Sequence, residues 1–469
     1  MPTALPQSPA PPAIRAVVTG VGPLSAIGAG RDDFFDALMA GRHGFGPITL
    51  CPTGDSPSKI AAEVKNFDLG QFVEKGAVLA RHTPRPVQFA LAAAVLALHD
   101  SELDLDQCNP DRFGVHVGTS IGNVATMFSL RDRFESRAEL PPHAAFHAFS
   151  HSAACVVSSF FNIRGPVHTT SSGCNSGLDA LGQSMRAIEA GATDAMLVIG
   201  SDCEVLPEVL AVLNASNSLS TRYNATPGRA SRPFDRGRDG NVLGEGAGAL
   251  LLESESHARA RGARIYARLD GYQVCAAGQN RQYSHDQPEA DLRPYVRALS
   301  GAIAEAGWKP AEVELVSANG SSSVIYDRIE ALALRELFGP AVGEIPVHSI
   351  KSMLGQHGAG TSALQAIAAC LSIRRGRVPP TINHEDVDPD CRHLRIVTQP
   401  QVLRPRRVLL HAIGLGGFYS SAAALAAVSE VETETTGIHT VQWSEGGHPR
   451  FTPAAEFQRP LTPWRPRSD

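Results

Sequence analysis

The sequence predicts an α/β fold built from two similar layered units. Three observations point there. Short apolar stretches of strand character alternate with longer helical ones through most of the chain, the pattern of layered α/β proteins. The alternation runs once to about residue 262 and then starts again, which suggests a duplicated unit although no identity between the halves is visible. Several glycine- and hydroxyl-rich segments follow directly on the apolar stretches, at the strand ends where ligands collect in an open α/β sheet.

Taken in order, residues 16–20 read as a first strand, residues 32–40 as a helix opened by aspartate, and residues 86–98 as a helix rich in alanine and leucine. Residues 113–118 read as a strand ending in glycine. A strand-like run from Val167 ends at Gly173, and a helix follows at once with Leu178, Leu181, Met185 and Ile188 on one face. Strands at 195–200 and 248–253 close the first series. The second series has strands at 314–317, 347–350 and 408–413, the last taken as final, and helices at 327–337 and 362–375. The expected organisation is a disordered leader at 1–13, one unit at 14–262, a second at 263–428 and a tail at 429–469. The leader lacks a basic start followed by an apolar run, so it is not read as a signal peptide. In the tail, Trp443 and Trp464 favour docking over disorder.

Composition narrows the function classes. With 469 residues and 43% hydrophobic composition the chain can bury a large core. A net charge of −5 gives no basic footprint for nucleic acid. Lysine is confined to five positions, a compositional bias toward arginine. The eight cysteines include no CxxC pair, and their spacing fits neither a zinc site nor a small disulfide scaffold, so no metal is expected. They read as mostly free thiols of a reducing, cytoplasmic compartment. No run approaches the ~18 apolar residues of a membrane span.

Cys174 is the most informative residue. It lies in Thr170-Ser-Ser-Gly-Cys-Asn-Ser-Gly, at a strand-to-helix junction close to the helix's unpaired N–H groups and positive dipole end. Such a place lowers a thiol pKa and makes a nucleophile without a dedicated base. A lone cysteine is more often a small core residue, but the glycines at 173 and 177 favour a reactive one. Four further segments stand out: the Arg232–Gly248 loop with paired acids and arginines, Val316-Ser-Ala-Asn-Gly-Ser-Ser-Ser, Ser349-Ile-Lys-Ser-Met-Leu-Gly-Gln-His-Gly, and Ile413-Gly-Leu-Gly-Gly-Phe-Tyr.

Over residues 14 to 428 the chain resembles the β-ketoacyl-acyl-carrier-protein synthases of thiolase-like fold, close to those of type II polyketide and fatty acid assembly. The resemblance is carried by Phe-Asp-x-x-Arg-Asp-Gly-x-Val-x-Gly-Glu-Gly at 234–246, and by Lys351-Ser-Met-x-Gly with Val378-Pro-Pro-Thr-Ile-Asn. It implies a duplicated, five-layered αβαβα core and a dimer, either homodimeric or with a related ketosynthase-like subunit. It also implies an acyl carrier protein as partner, with no cofactor beyond the phosphopantetheine that the carrier brings as substrate. Family members load an acyl group on the cysteine, decarboxylate a malonyl thioester and join the two by Claisen condensation.

The family's catalytic set is one cysteine and two histidines, and here both histidines are replaced. Asn319 stands where the first is expected and Gln356 where the second is, with His357 one position late. Lys351, Asp327 and Glu330 match the pattern as supporting residues; Gln365 replaces a glutamate. Ser321 and Ser323 replace threonines that bind pantetheine, Leu415 replaces a gating phenylalanine, and Gly416 and Phe418 belong to the same substrate-facing turn. Backbone N–H groups of Cys174 and the 414–417 turn are expected to form an oxyanion hole. Asn319 and Gln356 can donate hydrogen bonds but cannot exchange protons near neutral pH. The expectation is an acyltransferase that loads Cys174, with condensation weakened or repurposed. His357 would restore the second histidine only if its loop shifts by one residue.

Two alternatives are weighed. A partner subunit similar to a chain-length factor would lack the histidines, but usually lacks the cysteine as well. A serine hydrolase is suggested by Gly118-Thr-Ser-Ile-Gly122, a short motif that the resemblance assigns to a loop without a nucleophile.

Overall fold

The computed structural model describes residues 14–277, 292–415 and 419–428. The leader, the tail with Trp443 and Trp464, and Gly416 and Phe418 lie outside these residues.

The duplication expected from the alternation is visible in strand order. In the first half the strands lie side by side as Val167–Thr170, Phe113–Gly118, Ala195–Cys203, Leu243–Ser254 and Ala16–Ser25. Numbered along the chain this is 3-2-4-5-1. The second half repeats the order with Pro346–His348, Leu315–Ser317, Arg407–Ile413, Tyr419–Ala426 and Ala267–Ala276. Strand senses repeat too. The second strand pairs in parallel with the third and fourth, and the fifth pairs antiparallel with the fourth and first. The two first strands then pair antiparallel with each other through Ala16–Val18.

Two helices fill the space between the half-sheets. Ser176–Glu189 and Gly358–Arg375 each follow the third strand of their half, pack on one another, and touch strands of both halves. The latter is buried from Gly358 through Ile373, which is why it is apolar or small all round instead of amphipathic. Arg85–Ser101 covers the outer face of the first half-sheet, and Arg293–Glu305 with Val324–Phe338 covers that of the second. The result is helix, sheet, helix, sheet, helix.

Several expected boundaries shift for local reasons. The strand expected at 248–253 begins at Leu243, because Gly244, Gly246 and Gly248 pass where Leu354, His357 and Ala363 leave no room for a Cβ. The helix expected at 327 starts at Val324, since the Ser323 hydroxyl accepts from Tyr326 N. The helix expected at 32 starts at Arg31 without a side-chain cap, so aspartate does not open it. The strand expected at 347–350 ends at His348, and Ile350 leads instead into the short Lys351–Leu354 helix. Residues 408–413 are not the last strand, because Tyr419–Ala426 returns beside them.

One close approach is testable. A Cβ on Gly182 would collide with the Tyr272 ring, so the middle-layer helix meets the second half-sheet through that glycine. Gly182→Ala should cost about 1–3 kcal/mol as overpacking, read as a drop of a few degrees in Tm; an unchanged Tm would mean that the two layers slide freely.

Candidate active site

The two series of strand ends meet at one place. Gly118, Thr170 and Gly200 lie level in the first half, and Ser317, His348 and Leu410 in the second. The segments that follow them carry the expected site: Cys174, Asn319, Gln356 and Leu415.

Cys174 lies on a short 3-10 turn, Gly173–Asn175, and the α-helix begins only at Ser176. The turn is held from several sides. Ser176 Oγ donates to Thr119 O at 3.0 Å, and Ser172 N donates to Ser176 Oγ at 2.8 Å. Ser172 Oγ bonds the buried Asp179 carboxyl, which also accepts from Tyr272 Oη at 2.8 Å and Ser421 Oγ at 2.6 Å. Asn175 Nδ2 reaches Ala412 O at 3.2 Å and Ser421 Oγ at 2.9 Å, tying the turn to the second half.

The expectation of a lowered thiol pKa is not met. The residue keeps part of its surface, but its sulfur lies deep enough that burial pushes the thiol up to about 11. The charge of Glu204 adds to the rise; the Lys351 ammonium, the Leu415 N–H and the Gln356 side chain oppose it without overcoming it. Burial therefore outweighs the groups that favour the thiolate. The thiol meets a set of donors, the Leu415 N–H and the Gln356 amide, that favour negative charge once it forms. Leu415 itself is 46% exposed.

Asn319 is buried and its amide is oriented by its neighbours. Its Oδ1 accepts from Lys351 Nζ at 2.7 Å and Ile413 N at 3.0 Å. Both partners are donors only, so this atom is the oxygen and the amide nitrogen is left to donate. The backbone is fixed by Glu330, which accepts from Asn319 N at 2.7 Å and Gly320 N at 2.8 Å. Glu330 also meets His411 Nδ1 at 2.6 Å, and His411 Nε2 meets Ser420 Oγ at 2.9 Å. Asp327 holds the following turn through Ser321 N and Ser322 N, and takes Phe234 N from the Arg232–Gly248 loop. That loop is ion-paired as expected, Arg232 with Asp235 at 2.7 Å and Arg238 with Asp388. Burial lowers Lys351 to about 8 and raises Asp327 to about 6.

The remaining expected residues divide. Ser321 Oγ is buried and without a partner among the described residues. Ser323 instead caps the Val324–Phe338 helix. Gln365 Nε2 clamps Ser317 O and His411 O, joining two strand ends. His357 does not take the place of the missing imidazole. Its ring packs against Gly244, Gly246 and Gly360, both ring nitrogens lack partners among the described residues, and burial drives its pKa down to about 3. Ser120 of the hydrolase-like motif bonds Glu204, an acid and not a base of the usual triad. Sequence reasoning missed Asp179, Asp202, Glu204 and His411. Only their placement in the fold marks them, since no motif contains them. Among the described residues no group of His, Cys, Asp or Glu has a metal-binding arrangement, and no helix is long and apolar enough to cross a membrane.

Comparison with known proteins decides the family. Residues 14–258 match the beta-ketoacyl synthase N-terminal domain, and residues 266–385 the C-terminal domain. The chain belongs to the β-ketoacyl synthase family. Its relatives include the 3-oxoacyl-[acyl-carrier-protein] synthase 2 of Synechocystis, 34% identical over 86% of this chain and 96% of that one. Among solved structures it is similar to the ketosynthase of a type II polyketide system, captured with its acyl-carrier protein and bound to the hexaketide. There the TM-score is 0.79 with 30% identity, covering 89% of this chain and 100% of that one. The ishigamide ketosynthase/chain length factor gives the same TM-score at 29% identity, covering 90% of this chain and 100% of that one. The ketosynthase fold is thiolase-like, and this chain shares it.

Proposed function

We propose that this ketosynthase-family chain is an acyl-carrier-protein-dependent acyltransferase that forms an acyl thioester on Cys174, and that its decarboxylative condensation is weakened or repurposed. The observation that carries the reading is the meeting of a retained thiol with two donors, the Leu415 N–H and the Gln356 amide, while Asn319 is turned by Lys351 and Ile413 to present N–H groups. In loading, the sulfur attacks the carrier's thioester carbonyl and backbone N–H groups donate hydrogen bonds to the oxyanion. Decarboxylation places enolate charge near residues 319 and 356. Two neutral amides donate there more weakly than two imidazoles and shuttle no proton. Ser321 Oγ supports a pantetheine contact. Phosphopantetheine arrives on the carrier, so the enzyme needs no cofactor of its own. The partners are an acyl carrier protein and a second ketosynthase-like subunit, identical or related, in the cytoplasm.

A second reading is favoured by the likeness to a ketosynthase/chain length factor: a non-catalytic partner subunit. Incubation with an acyl-carrier thioester, followed by intact-mass measurement, separates the two. An adduct on Cys174 without carbon dioxide release from malonyl-carrier protein supports the acyltransferase. No adduct, with stimulation of a co-purified ketosynthase, supports the partner.

A further inference from the structure

Two neighbouring serines near the start of Tyr419–Ala426 point to opposite faces of the second half-sheet, as strand alternation requires. Ser421 faces the middle layer and grips the nucleophile's turn. Its Oγ donates to Asp179 Oδ1 at 2.6 Å and accepts from Asn175 Nδ2 at 2.9 Å. Ser420 faces the outer layer, where its Oγ lies 2.9 Å from His411 Nε2. His411 belongs to Arg407–Ile413, and Leu409 and Ile413, on the same side of that strand, join the outer apolar cluster with Tyr295. The Tyr295 ring meets the imidazole edge-on at 6.5 Å.

His411 thereby joins two parts of the site. Its Nδ1 lies 2.6 Å from Glu330 Oε1, which also accepts from Asn319 N at 2.7 Å. Glu330 Oε2 accepts from Gly320 N at 2.8 Å. With the carboxyl oxygens accepting, Nδ1 carries the ring hydrogen and Nε2 accepts from the Ser420 hydroxyl. Ser420 is in register with Ile413, whose N–H donates to Asn319 Oδ1 at 3.0 Å. Gly414 N donates to Tyr419 O at 3.1 Å, so the segment that carries Leu415 leaves and rejoins the sheet beside these residues. Serine, imidazole and carboxyl in this order have the spacing of a nucleophile, its base and an orienting acid. All three are 0% exposed, which leaves Ser420 no surface to offer a substrate. Buried bonds of this kind are costly to leave unmade, so the chain they form holds its ends in one arrangement.

We propose that His411 is a positioning residue of the thiol site: through Glu330 it holds the Asn319 backbone, and through Ser420 it holds the Leu415 segment, in fixed register. The inference rests on the loading of Cys174 proposed above. His411 touches neither the sulfur nor the substrate. It sets where the Leu415 N–H and the Asn319 amide stand relative to the thioester carbonyl, so it acts on the rate at saturation and not on carrier binding.

The test uses Ser420→Ala, which removes the hydroxyl that holds Nε2, and Ser420→Thr, which keeps it. Loading from an acyl-carrier-protein thioester is followed by intact mass over a range of carrier concentrations. Iodoacetamide alkylation of Cys174 reports the donor at the sulfur independently of loading. Ser420→Ala should load about tenfold slower at saturation with KM changed by less than about twofold. It should also alkylate about threefold more slowly, because the Leu415 N–H no longer stabilises the thiolate. Ser420→Thr should restore both. A merely structural loss would loosen the turn and speed alkylation. Faster alkylation, unchanged values in Ser420→Ala, or no rescue by Ser420→Thr overturns the proposal. So does labelling of Ser420 by a fluorophosphonate, which would make it a nucleophile. If Ser420→Ala does not fold, hydrogen exchange in the wild type decides: the amides of 319, 320 and 415 are expected to open together, and independent opening overturns the proposal. A wild type that forms no adduct overturns loading itself, and alkylation then still decides the positioning role.

Discussion

Cys174→Ser will abolish the covalent acyl adduct, and the wild-type thiol will alkylate with a midpoint far to the alkaline side. Both follow from the buried sulfur. A thiol pushed up to about 11 is ionised in roughly one molecule in ten thousand at pH 7. Its reactivity toward iodoacetamide should therefore climb about tenfold per pH unit from 7 to 10. The sign is fixed by the cause: burial and the Glu204 charge disfavour the thiolate more than Lys351, Leu415 and Gln356 favour it. A serine hydroxyl is harder still to ionise. A midpoint near 8 in wild type would show that Lys351 and the turn N–H groups outweigh burial. Persistence of an adduct in Cys174→Ser would move the nucleophile elsewhere.

Placing imidazoles at both positions, Asn319→His with Gln356→His, should raise carbon dioxide release from malonyl-carrier protein about tenfold or more, less than the ~10²–10³ in rate that losing a donor outright costs, because the amides already donate. The surroundings of residue 319 suit the change. Lys351 Nζ and Ile413 N now donate to Asn319 Oδ1, and a histidine Nδ1 can accept one of those bonds while Nε2–H faces the substrate. Glu330 holds the backbone whatever side chain stands there. Position 356 is less forgiving. Its backbone is clamped between Val242 O and Gly244 N, and its Oε1 is buried without a partner among the described residues. The measurement is labelled carbon dioxide release against acyl loading. If loading persists and release does not rise, the pocket itself has been reshaped.

Much of this was legible in the sequence because it rests on local pattern. Apolar periodicity located most of the main helices and strands, and repeated alternation revealed the duplication. The Lys351-Ser-Met and Phe234-to-Gly246 motifs brought the right loops to one site. What failed has physical causes. A thiol before a helix reads as activated, but desolvation depends on everything packed around the sulfur, and that packing is set by residues hundreds of positions away. His357 sits beside Gln356 in sequence and faces a different environment, because the glycines of Leu243–Ser254 open a notch for its ring. Glu204 and His411 are invisible to motif reading. Each matters only through the neighbours that the tertiary fold supplies, Ser120 and Gly358 for one, Glu330 and Ser420 for the other.

The repeated strand order has a further consequence for how this site can change. The nucleophile and its acidic neighbours hang from one copy of the repeat, whereas both amides and the Leu415 turn hang from the other. Substituting on the second copy changes the amide side of the site, and it reaches the Cys174 turn as well wherever it touches Tyr272, Ala412 or Ser421. Duplication has thereby divided the candidate site between two copies, and the site lies at the join between them.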